Sequence, residues 1–369
     1  MNKRLYLILS VLLALSISLS ACEEPTPAET PVPPETPTPR AAPIQKTPAV
    51  IEEIYEFRLQ NHDTPDSVTA GFLDAWSQAV KEASGGRISI RNFHDGILGS
   101  PRDSYNMVLN GEADIAWGLP SYSPGMFPLT DAISLPFIGA TSSLQASYAL
   151  WELYDSTDYL KDEWSDVQML LLHTGCDSPL ISNTRIDSVE GFRDMNLRIN
   201  GGPTTEWAKL VGANPMGVPI TEVYDRMESG DLDGVTSTGW DVIDAYKLYE
   251  QGSYYLDYAI QVCPYFLIMN KDSYEGLPDD LKAVIDEFSG YGALEIVGDR
   301  WEVVKEEVIS AIGEAGGEIY GLSDTERAKL DAYGVQARRS WIMDITASGT
   351  NAEGMVSTTI ELLRKHRDK

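Results

Sequence analysis

Histidine, cysteine and basic side chains are scarce in this 369-residue sequence, and each shortage argues against a class of protein. The four histidines show no spacing typical of a metal site, such as H-E-x-x-H, so no metal or other cofactor is expected. Lysine and arginine together number 28 against 56 acidic residues, and a net charge of −28 argues against nucleic acid as a partner. No G-x-S-x-G turn, phosphate-binding loop or cysteine-nucleophile context occurs, so the protein is not expected to be an enzyme.

The N-terminus carries an export signal. Two basic residues precede an apolar stretch over residues 5–19 that is too short for a transmembrane helix and is typical of a signal peptide. The stretch ends in Leu19–Cys22 (LSAC), which is similar to the lipobox of bacterial lipoproteins; an ordinary cleavage site followed by a chance cysteine is the alternative. We expect residues 1–21 to be a lipoprotein signal peptide and the thiol of Cys22 to carry acyl chains that anchor the protein to a membrane.

Proline dominates the segment after Cys22. Nine prolines lie between Glu23 and Pro48, mixed with threonine, glutamate and alanine. Such a composition cannot bury enough apolar surface to fold, and it keeps the chain extended with polyproline character. Residues 22–49 are therefore expected to be a tether between the lipid anchor and the folded part of the chain.

Cys176 and Cys263 are the two cysteines beyond this tether. In an exported protein a pair of cysteines is a candidate disulfide. Two buried free thiols are the alternative, and the residue pattern by itself leaves both possibilities open.

Hydrophobic periodicity after residue 50 predicts an α/β fold. Apolar residues at every fourth position from Val68 to Val80 predict a helix that separates strands at 55–61 and 87–93. A second helix beginning at Pro101 and a strand at 113–117 complete a β-α-β-α-β order, which is typical of a parallel sheet covered by helices. The same order returns later in the chain, with strands predicted at 167–174, 196–199, 232–236 and 258–269.

Helix-forming residues dominate the C-terminal region. A long helical stretch is predicted from Pro278 to Ile312, with glycines that can interrupt it, and further helices are predicted at 324–340 and 352–365. The folded part is long enough for two lobes. A cleft between two α/β lobes, beyond the carboxyl ends of their strands, is the usual place for a ligand.

Arg198 is the main candidate for binding a charged ligand. Leu197 and Ile199 share one face of a predicted strand, so Arg198 points the other way, shortly before the chain turns into a helix. A planar, permanently charged guanidinium in that position suits a carboxylate. A solvated or ion-paired strand arginine is the alternative that the pattern leaves open.

Short motifs recur in a defined order across nearly the whole folded part. They are GGRI (85–88), GILG (96–99), GEADIA (111–116), PGMFPL (124–129), LPF (135–137), LRI (197–199), GANP (212–215), EVY (222–224), DG (233–234), MN (269–270) and LPDDL (277–281). From about Tyr55 to Ile360 the sequence resembles the solute-binding subunit of TRAP (tripartite ATP-independent periplasmic) transporters, in the dicarboxylate-binding, DctP-like branch.

The resemblance implies a two-lobed periplasmic-binding-protein fold with long C-terminal helices. Lobe I would comprise residues 50–175 plus 263–302, and lobe II residues 176–262 plus 303–369. Arg198 would bind the carboxylate of an organic acid. The closed protein would dock on the permease subunits of a TRAP transporter, in the periplasm or at the outer face of the cytoplasmic membrane. Cys176 and Cys263 would then lie at lobe crossings, where we predict that they form a disulfide.

Departures from the family pattern narrow the range of expected ligands. Met126 stands where many relatives have an arginine, and Ser178 stands where sialate-binding members place a second arginine. Residues 235–238 replace the segment that carries an amide in those members. The missing second anchor favours a monocarboxylate over a dicarboxylate and argues against sialic acid.

Aromatic side chains follow several of the predicted strands. Their flat apolar faces and polar edges suit an aromatic or branched acid, and core packing is the alternative for each of them. His62 and His94 also follow strands and are predicted to be polar groups of the cleft rather than metal ligands. Beside Arg198, the predicted ligand-binding residues are Trp117, Tyr122, Thr236, Ser237, Trp240, Tyr265, Phe266, His62 and His94.

The sequence thus predicts an extracytoplasmic solute-binding protein that captures a small carboxylate for a TRAP-type secondary transporter. An ABC-type or sensor-coupled binding lipoprotein is one alternative, which the permease or kinase encoded beside the gene would identify. A secreted hydrolase is an alternative from another class, which turnover of a bound ligand would reveal.

Overall fold

The computed structural model describes residues 53–369, so the predicted signal peptide, Cys22 and the tether lie outside the described residues. The strands are β1 (Tyr55–Gln60), β2 (Ile88–Phe93), β3 (Ile115–Gly118), β4 (Gln168–Asp177), β5 (Leu180–Ser182), β6 (Asn196–Ile199), β7 (Asn214–Gly217), β8 (Gly234–Val235), β9 (Tyr254–Leu256), β10 (Val262–Met269) and β11 (Glu318–Tyr320). The α-helices are α1 (Val68–Ala83), α2 (Ser104–Leu109), α3 (Ser143–Ser156), α4 (Thr204–Leu210), α5 (Val223–Glu228), α6 (Trp240–Ala245), α7 (Lys271–Glu275), α8 (Asp279–Glu287), α9 (Tyr291–Val297), α10 (Arg300–Glu314), α11 (Asp324–Ala347) and α12 (Ala352–Lys365).

Two β-sheets organise the fold. The first sheet has the strand order β2-β1-β3-β10-β4, and the second has the order β11-β9-β5-β8-β6-β7. β1 pairs in parallel with both β2 and β3, as the β-α-β-α-β pattern predicts. β10 runs antiparallel between β3 and β4, so the first sheet is mixed. The two sheets with their covering helices form the two-lobed α/β fold that the sequence predicts.

The first helix shows how the local sequence determines an element. Ser67 begins α1, and its hydroxyl accepts the backbone N–H of Ala70 at 3.1 Å, which satisfies one of the free donors of the first turn. The predicted apolar stripe, including Phe72, Trp76 and Val80, is buried. α1 therefore covers the first sheet with its apolar face and presents its charged residues to solvent.

The long helical stretch that follows Pro278 is divided into α8, α9 and α10. The divisions fall at Gly290 and Gly298, whose φ angles are +53° and +51°. Residues with a Cβ atom rarely adopt this backbone conformation, and an added Cβ at Gly290 would also come within 2.2 Å of the Trp151 ring. The prediction that glycines interrupt this region is confirmed at these two positions.

The C-terminal helices connect the covering layers of the two sheets. α11 packs against α4 beside the second sheet, and α12 packs against α3 beside the first. On α12, the carbonyl of Leu363 accepts a hydrogen bond from Gln145 at 2.6 Å, and Lys365 pairs with Glu152 at 2.6 Å. The long C-terminal helices are thus present, and α12 contacts the helix layer of the first sheet. Within residues 53–369, no helix is both long and apolar enough to cross a membrane.

Candidate ligand-binding site

A buried cavity lies where strands from both sheets end. Its lining comes from the segments that follow β1, β3 and β8, from β6 itself, and from the start of β10. The space between these side chains amounts to about 320 Å³, part of it open to solvent. The part of it that water-sized molecules can occupy is about 20 Å³, room for about one water molecule, so a solute can enter only when the walls of the cavity move apart.

Arg198 is the cation in the wall of this cavity. Its side chain is almost fully buried, with 1% of its surface exposed. Nε donates to the carbonyl of Val218 at 2.9 Å, and Nη1 donates to the carbonyl of Ser237 at 3.1 Å and to the hydroxyl of Thr238 at 2.7 Å. These three bonds fix the plane of the guanidinium, so the group is oriented before any ligand arrives.

Arg198 shares the cavity with one carboxylate, that of Asp63, but forms no ion pair with it. Among residues 53–369, no aspartate or glutamate forms an ion pair with it, and its Nη2 makes no hydrogen bond. Burying an unpaired charge is costly, and a buried guanidinium normally finds an anion. The two N–H groups of Nη2 are therefore available for an acidic ligand, which is the role predicted from the sequence.

The backbone conformation at Ser237 directs two hydrogen-bond acceptors toward Arg198. Ser237 has a φ of +54°, a left-handed conformation that is unusual for a residue other than glycine. This turn follows the two-residue strand β8 and presents the carbonyl of Ser237 and the hydroxyl of Thr238 to the guanidinium. The hydroxyl of Ser237 is buried without a hydrogen-bond partner in the described structure, so it is free to donate to a ligand.

Aromatic rings form the opposite wall of the cavity. The ring of His62 lies 5.1 Å from that of Trp117 and 5.7 Å from that of Tyr122, and Trp117 lies 4.7 Å from Tyr265. Burial raises the pKa of Tyr122 and of Tyr265, so both phenols stay protonated and keep their O–H donors. This arrangement offers flat apolar surface with hydrogen-bond donors at its edge.

A buried histidine behind this wall positions Trp117. The indole Nε1 of Trp117 donates to Nε2 of His173 at 3.1 Å. Burial lowers the pKa of His173 to about 3, so the imidazole is neutral at ordinary pH and its Nε2 can accept that hydrogen bond. His173 thus fixes the orientation of the Trp117 ring in the cavity.

Glycine in β4 makes room for Tyr265. An added Cβ at Gly175 would lie 2.6 Å from the hydroxyl of Tyr265 and 2.7 Å from its ring. The tyrosine ring therefore lies directly over the backbone of the neighbouring strand, a close approach that only glycine permits.

Phe266, predicted as a ligand contact, does not line the cavity. Adjacent residues of a strand point to opposite faces, and Tyr265 takes the cavity side of β10. Phe266 packs on the other side, with ring centroids 5.4 Å from Trp164 and 6.5 Å from Tyr105. It belongs to the core of the first sheet.

Trp240 and Thr236, also predicted as ligand contacts, lie outside the lining of this cavity. Trp240 begins α6 rather than continuing a strand end, and it is fully buried with its ring stacked on Tyr255. The hydroxyl of Thr236 donates to the carbonyl of Pro179 at 3.1 Å, away from the cavity. The hydroxyl of Thr236 is thus satisfied within the protein, whereas the indole Nε1 of Trp240 is buried without a hydrogen-bond partner in the described structure.

His94 lies outside the cavity, contrary to the prediction, but it supports the segment that carries His62. Its Nδ1 contacts the side-chain amide of Asn61 at 3.0 Å, and its Nε2 contacts Asp74 at 3.2 Å. Asn61 is fully buried and braces the turn after β1. His94 therefore acts through Asn61 and not on a ligand.

The predicted disulfide is wrong, because Cys176 and Cys263 are both free. The thiol of Cys176 donates to the carbonyl of Trp301 at 3.1 Å, and that of Cys263 accepts from the amide of Asn200 at 3.3 Å. Burial raises the pKa of each thiol, which keeps both protonated and unreactive. Cys263 lies in the cavity wall and forms no crosslink to Cys176.

Several residues that line the cavity are not predicted from the sequence. The lining residues that were not predicted include Asp63, Leu119, Asn200, Ile220, Thr238 and Val242. Asp63 adjoins His62, and Thr238 adjoins Ser237, so proximity in the chain was an available signal for these two. For Ile220, which donates its N–H to the hydroxyl of Tyr122 at 3.2 Å, no local signal exists.

A two-lobed α/β fold that places an unpaired arginine among aromatic rings defines the class as a binding protein for a small acidic solute. The family model of DctP, bacterial extracellular solute-binding protein family 7, matches residues 60–337. The chain belongs to this family. Its members are solute-binding receptors rather than enzymes, and the TRAP solute-binding proteins among them bind small organic acids outside the cytoplasm and work with membrane permease subunits.

Similar proteins come from several bacteria. The uncharacterized protein YiiZ of Salmonella typhimurium is 25% identical over 218 residues, which are 57% of this chain and 64% of YiiZ. The 2,3-diketo-L-gulonate-binding periplasmic protein YiaO of Escherichia coli K12 is 21% identical over 288 residues, which are 73% of this chain and 82% of YiaO. A marine-metagenome TRAP solute binding protein specific for aromatic acid ligands, solved with 3-hydroxybenzoate, is 26% identical, with a TM-score of 0.81 over 85% of this chain and 99% of its own.

Proposed function

We propose that this protein captures a small monocarboxylate with an aromatic or branched body and delivers it to the permease of a TRAP transporter. The observation that carries the proposal is the buried guanidinium of Arg198, which has no carboxylate partner among residues 53–369 and keeps Nη2 free at the cavity. The similar metagenomic protein, solved with 3-hydroxybenzoate, supports the aromatic half of the proposal.

The lining of the cavity supports one carboxylate rather than two. Arg198 is the sole arginine or lysine among the residues that line the described cavity. A second ligand carboxylate would lose its hydration there without a cation to replace it. Rings of Trp117, Tyr122 and Tyr265 instead offer apolar contact, which favours a hydrocarbon body.

Binding would close the two lobes around the ligand. Hydrogen bonds already join segments that follow strands of different sheets, such as Ile220 N–H to Tyr122 and the hydroxyl of Tyr246 to Asp63. A ligand stabilises the closed form only as far as it contacts both sides. Arg198 from the second sheet and the aromatic rings from the first meet this condition.

The test is a ligand screen on the purified protein. Native mass spectrometry of the protein as isolated would identify any co-purified acid. A thermal-shift screen would then compare aromatic and branched monocarboxylates, dicarboxylates and neutral sugars. We expect monocarboxylates to raise the unfolding temperature most. Stabilisation by neutral sugars without any by acids would overturn the proposal.

The lobe boundaries and the lipid anchor are part of the same proposal. Lobe I would contain residues 50–175 plus 263–302 and lobe II residues 176–262 plus 303–369, which agrees with the division of strands β1–β10 between the two sheets. A lipid on Cys22 would hold the protein in the periplasm or at the outer face of the cytoplasmic membrane. Labelling with a radioactive fatty acid tests the anchor, and Cys22→Ser should abolish the label; a label retained in that variant contradicts lipidation at this cysteine.

A further inference from the structure

The ligand cavity contains a carboxylate as well as a cation. Asp63 lines the same cavity as Arg198 and is 5% exposed. Its Oδ1 accepts a hydrogen bond from the hydroxyl of Tyr246 at 3.0 Å, whereas its Oδ2 makes no hydrogen bond to any of residues 53–369. One oxygen of Asp63 is therefore committed to the protein and the other is available at the cavity.

Asp63 is held in place by its own turn. Its backbone N–H donates to the side-chain oxygen of Asn61 at 3.0 Å, and the amide nitrogen of Asn61 contacts Nδ1 of His94 at 3.0 Å. The hydroxyl of Tyr246 also reaches the carbonyl of His62 at 3.3 Å. The bonds within this turn fix the backbone of Asp63 in the cavity wall.

The imidazole of His62, next to Asp63, has unused hydrogen-bonding capacity. Its Nδ1 is buried without a partner in the described structure, and its Nε2 is 3.8 Å from Oδ1 of Asp63, too far for a hydrogen bond. Burial lowers the pKa of His62, so the ring is neutral and offers one donor and one acceptor. The side of the cavity at Asp63 therefore has spare acceptors, whereas Arg198, Tyr122 and Ser237 supply donors.

An acid without a second polar group fits this arrangement poorly. When the cavity closes, Oδ2 of Asp63 loses water and gains no partner, and its charge repels the ligand carboxylate. A donor on the ligand removes both penalties, because it replaces the lost water and forms a charge-assisted hydrogen bond. A site built to bind such a donor rejects analogues that lack it.

We propose that Asp63 is a specificity-determining residue that accepts a hydrogen bond from the ligand, so that the solute is a hydroxy or amino acid rather than a plain carboxylic acid. This inference rests on the proposed function, because it assumes that Arg198 binds the carboxylate of the same molecule. Asp63 faces the hydroxyl or ammonium group, and Arg198 faces the carboxylate.

The experiment compares matched pairs of acids by isothermal titration calorimetry. The pairs are benzoate with each hydroxybenzoate, phenylacetate with mandelate, isovalerate with 2-hydroxyisovalerate, and 3-phenylpropanoate with phenylalanine. We expect the donor-bearing member of at least one pair to bind at least tenfold more tightly than its parent. The O-methyl derivative of that compound should lose the advantage, because it keeps the oxygen but cannot donate. The pairs with hydroxyl and with ammonium groups identify which donor the site takes.

Two variants connect the preference to Asp63. In Asp63→Asn, which keeps the shape of the side chain, and in Asp63→Ala, the affinity ratio within the preferred pair should fall to within about threefold of unity. Tyr246→Phe is the matched control, because it removes the hydrogen bond to Oδ1 and leaves Oδ2 in place. It should retain the tenfold ratio, which a merely structural role of Asp63 would not predict.

The outcomes separate this inference from the function on which it rests. If wild-type protein binds parents and donor-bearing acids equally, and Arg198→Ala abolishes both, the carboxylate-binding function stands and the role of Asp63 is refuted. A ratio that persists in both Asp63 variants also refutes it. If no carboxylate of the panel binds wild-type protein, the proposed function fails and the inference fails with it.

Discussion

Replacement of Arg198 perturbs the ligand and the protein at the same time, and the two effects can be separated. In Arg198→Ala, the ligand carboxylate enters the cavity without a cation. The carbonyls of Val218 and Ser237 and the hydroxyl of Thr238 also lose their donor. Arg198→Lys keeps the charge, but one ammonium cannot replace three internal hydrogen bonds and also reach the ligand. We therefore expect both variants to weaken binding, alanine more than lysine.

The magnitude follows from the burial of the guanidinium. Removing one partner of a buried, hydrogen-bonded charge pair costs about 2–5 kcal/mol in binding. Because 1.4 kcal/mol is a factor of ten, the dissociation constant should rise roughly 30- to 4,000-fold in Arg198→Ala. Each buried acceptor left without a donor costs about 1–3 kcal/mol of stability, and water that enters the emptied space should keep this loss near the lower end.

Isothermal titration calorimetry with the acid found in the ligand screen measures the binding loss, and thermal unfolding followed by circular dichroism measures the stability loss. Thr238→Val is the matched control, since it removes one hydrogen bond to Nη1 but leaves the charge and the side-chain volume. It should weaken binding by at most about tenfold, in keeping with roughly 0.5–1.5 kcal/mol for one hydrogen bond. A folded Arg198→Ala protein whose affinity stays within a few-fold of wild type would remove Arg198 from the site.

Three further predictions concern the wall of the cavity, a pair of acidic groups and the thiols. Gly175→Ala would force the ring of Tyr265 from its place over β4, so we expect a loss of about 1–3 kcal/mol in denaturant unfolding and weaker ligand binding. Burial, with the charge of Glu163 nearby, raises the pKa of Asp131 to about 8. The folded protein thus holds this proton more tightly than the unfolded chain, so its stability falls as the pH rises from about 4 to about 8, and Asp131→Asn should flatten that fall. Finally, alkylation in denaturant without a reductant should label both cysteines of the described residues.

Each of these has a result that would contradict it. Unaltered unfolding and binding in Gly175→Ala would mean that the ring of Tyr265 does not need the space that glycine provides. Wild-type stability that stays constant between about pH 5 and pH 9, or an equal decline in Asp131→Asn, would remove this carboxyl from the pH dependence. Unlabelled cysteines in the denatured protein would restore the predicted disulfide.

Features that depend on local sequence could be predicted well. The alternation around Leu197 and Ile199 correctly places Arg198 on the face away from the core, because the side-chain period of a strand is two. The apolar stripe from Val68 to Val80 correctly predicts α1, because apolar residues at every fourth position lie on one face of a helix. The glycines near 290–298 correctly predict the interruptions of the helical region, because each break has a positive φ that glycine adopts readily.

Features that depend on distant parts of the chain could not be predicted from these patterns. Tyr265 and Phe266 are neighbours, so period two requires that they face opposite sides, but only the pairing of β10 with β3 and β4 determines which one faces the cavity. The sequence predicts that Trp240 follows the carboxyl end of a strand at 232–236. β8 is two residues long, and the left-handed turn at Ser237 directs the following tryptophan into the core.

The cysteine prediction failed for a related reason. Cys263 lies where the register of β10 shifts against β4, between the pairs Val262–Asp177 and Pro264–Thr174. The family resemblance implies that both cysteines lie at lobe crossings, but the hydrogen-bond partner of each thiol depends on side-chain packing. Packing of this kind is not encoded in the spacing of residues along the sequence.

Side chains alternate between the two faces of β10, and this alternation affects how substitutions can change the solute preference of the protein. Tyr265 lines the cavity, whereas Phe266 packs between Trp164 and Tyr105 and lies outside it. Substitutions at the first position can alter which solute is taken while the domain still folds, and substitutions at the second alter whether it folds at all. Of the residues of β10, Cys263 and Tyr265 line the cavity, so a change of solute preference can be confined to these two positions while the intervening residues keep the core packed.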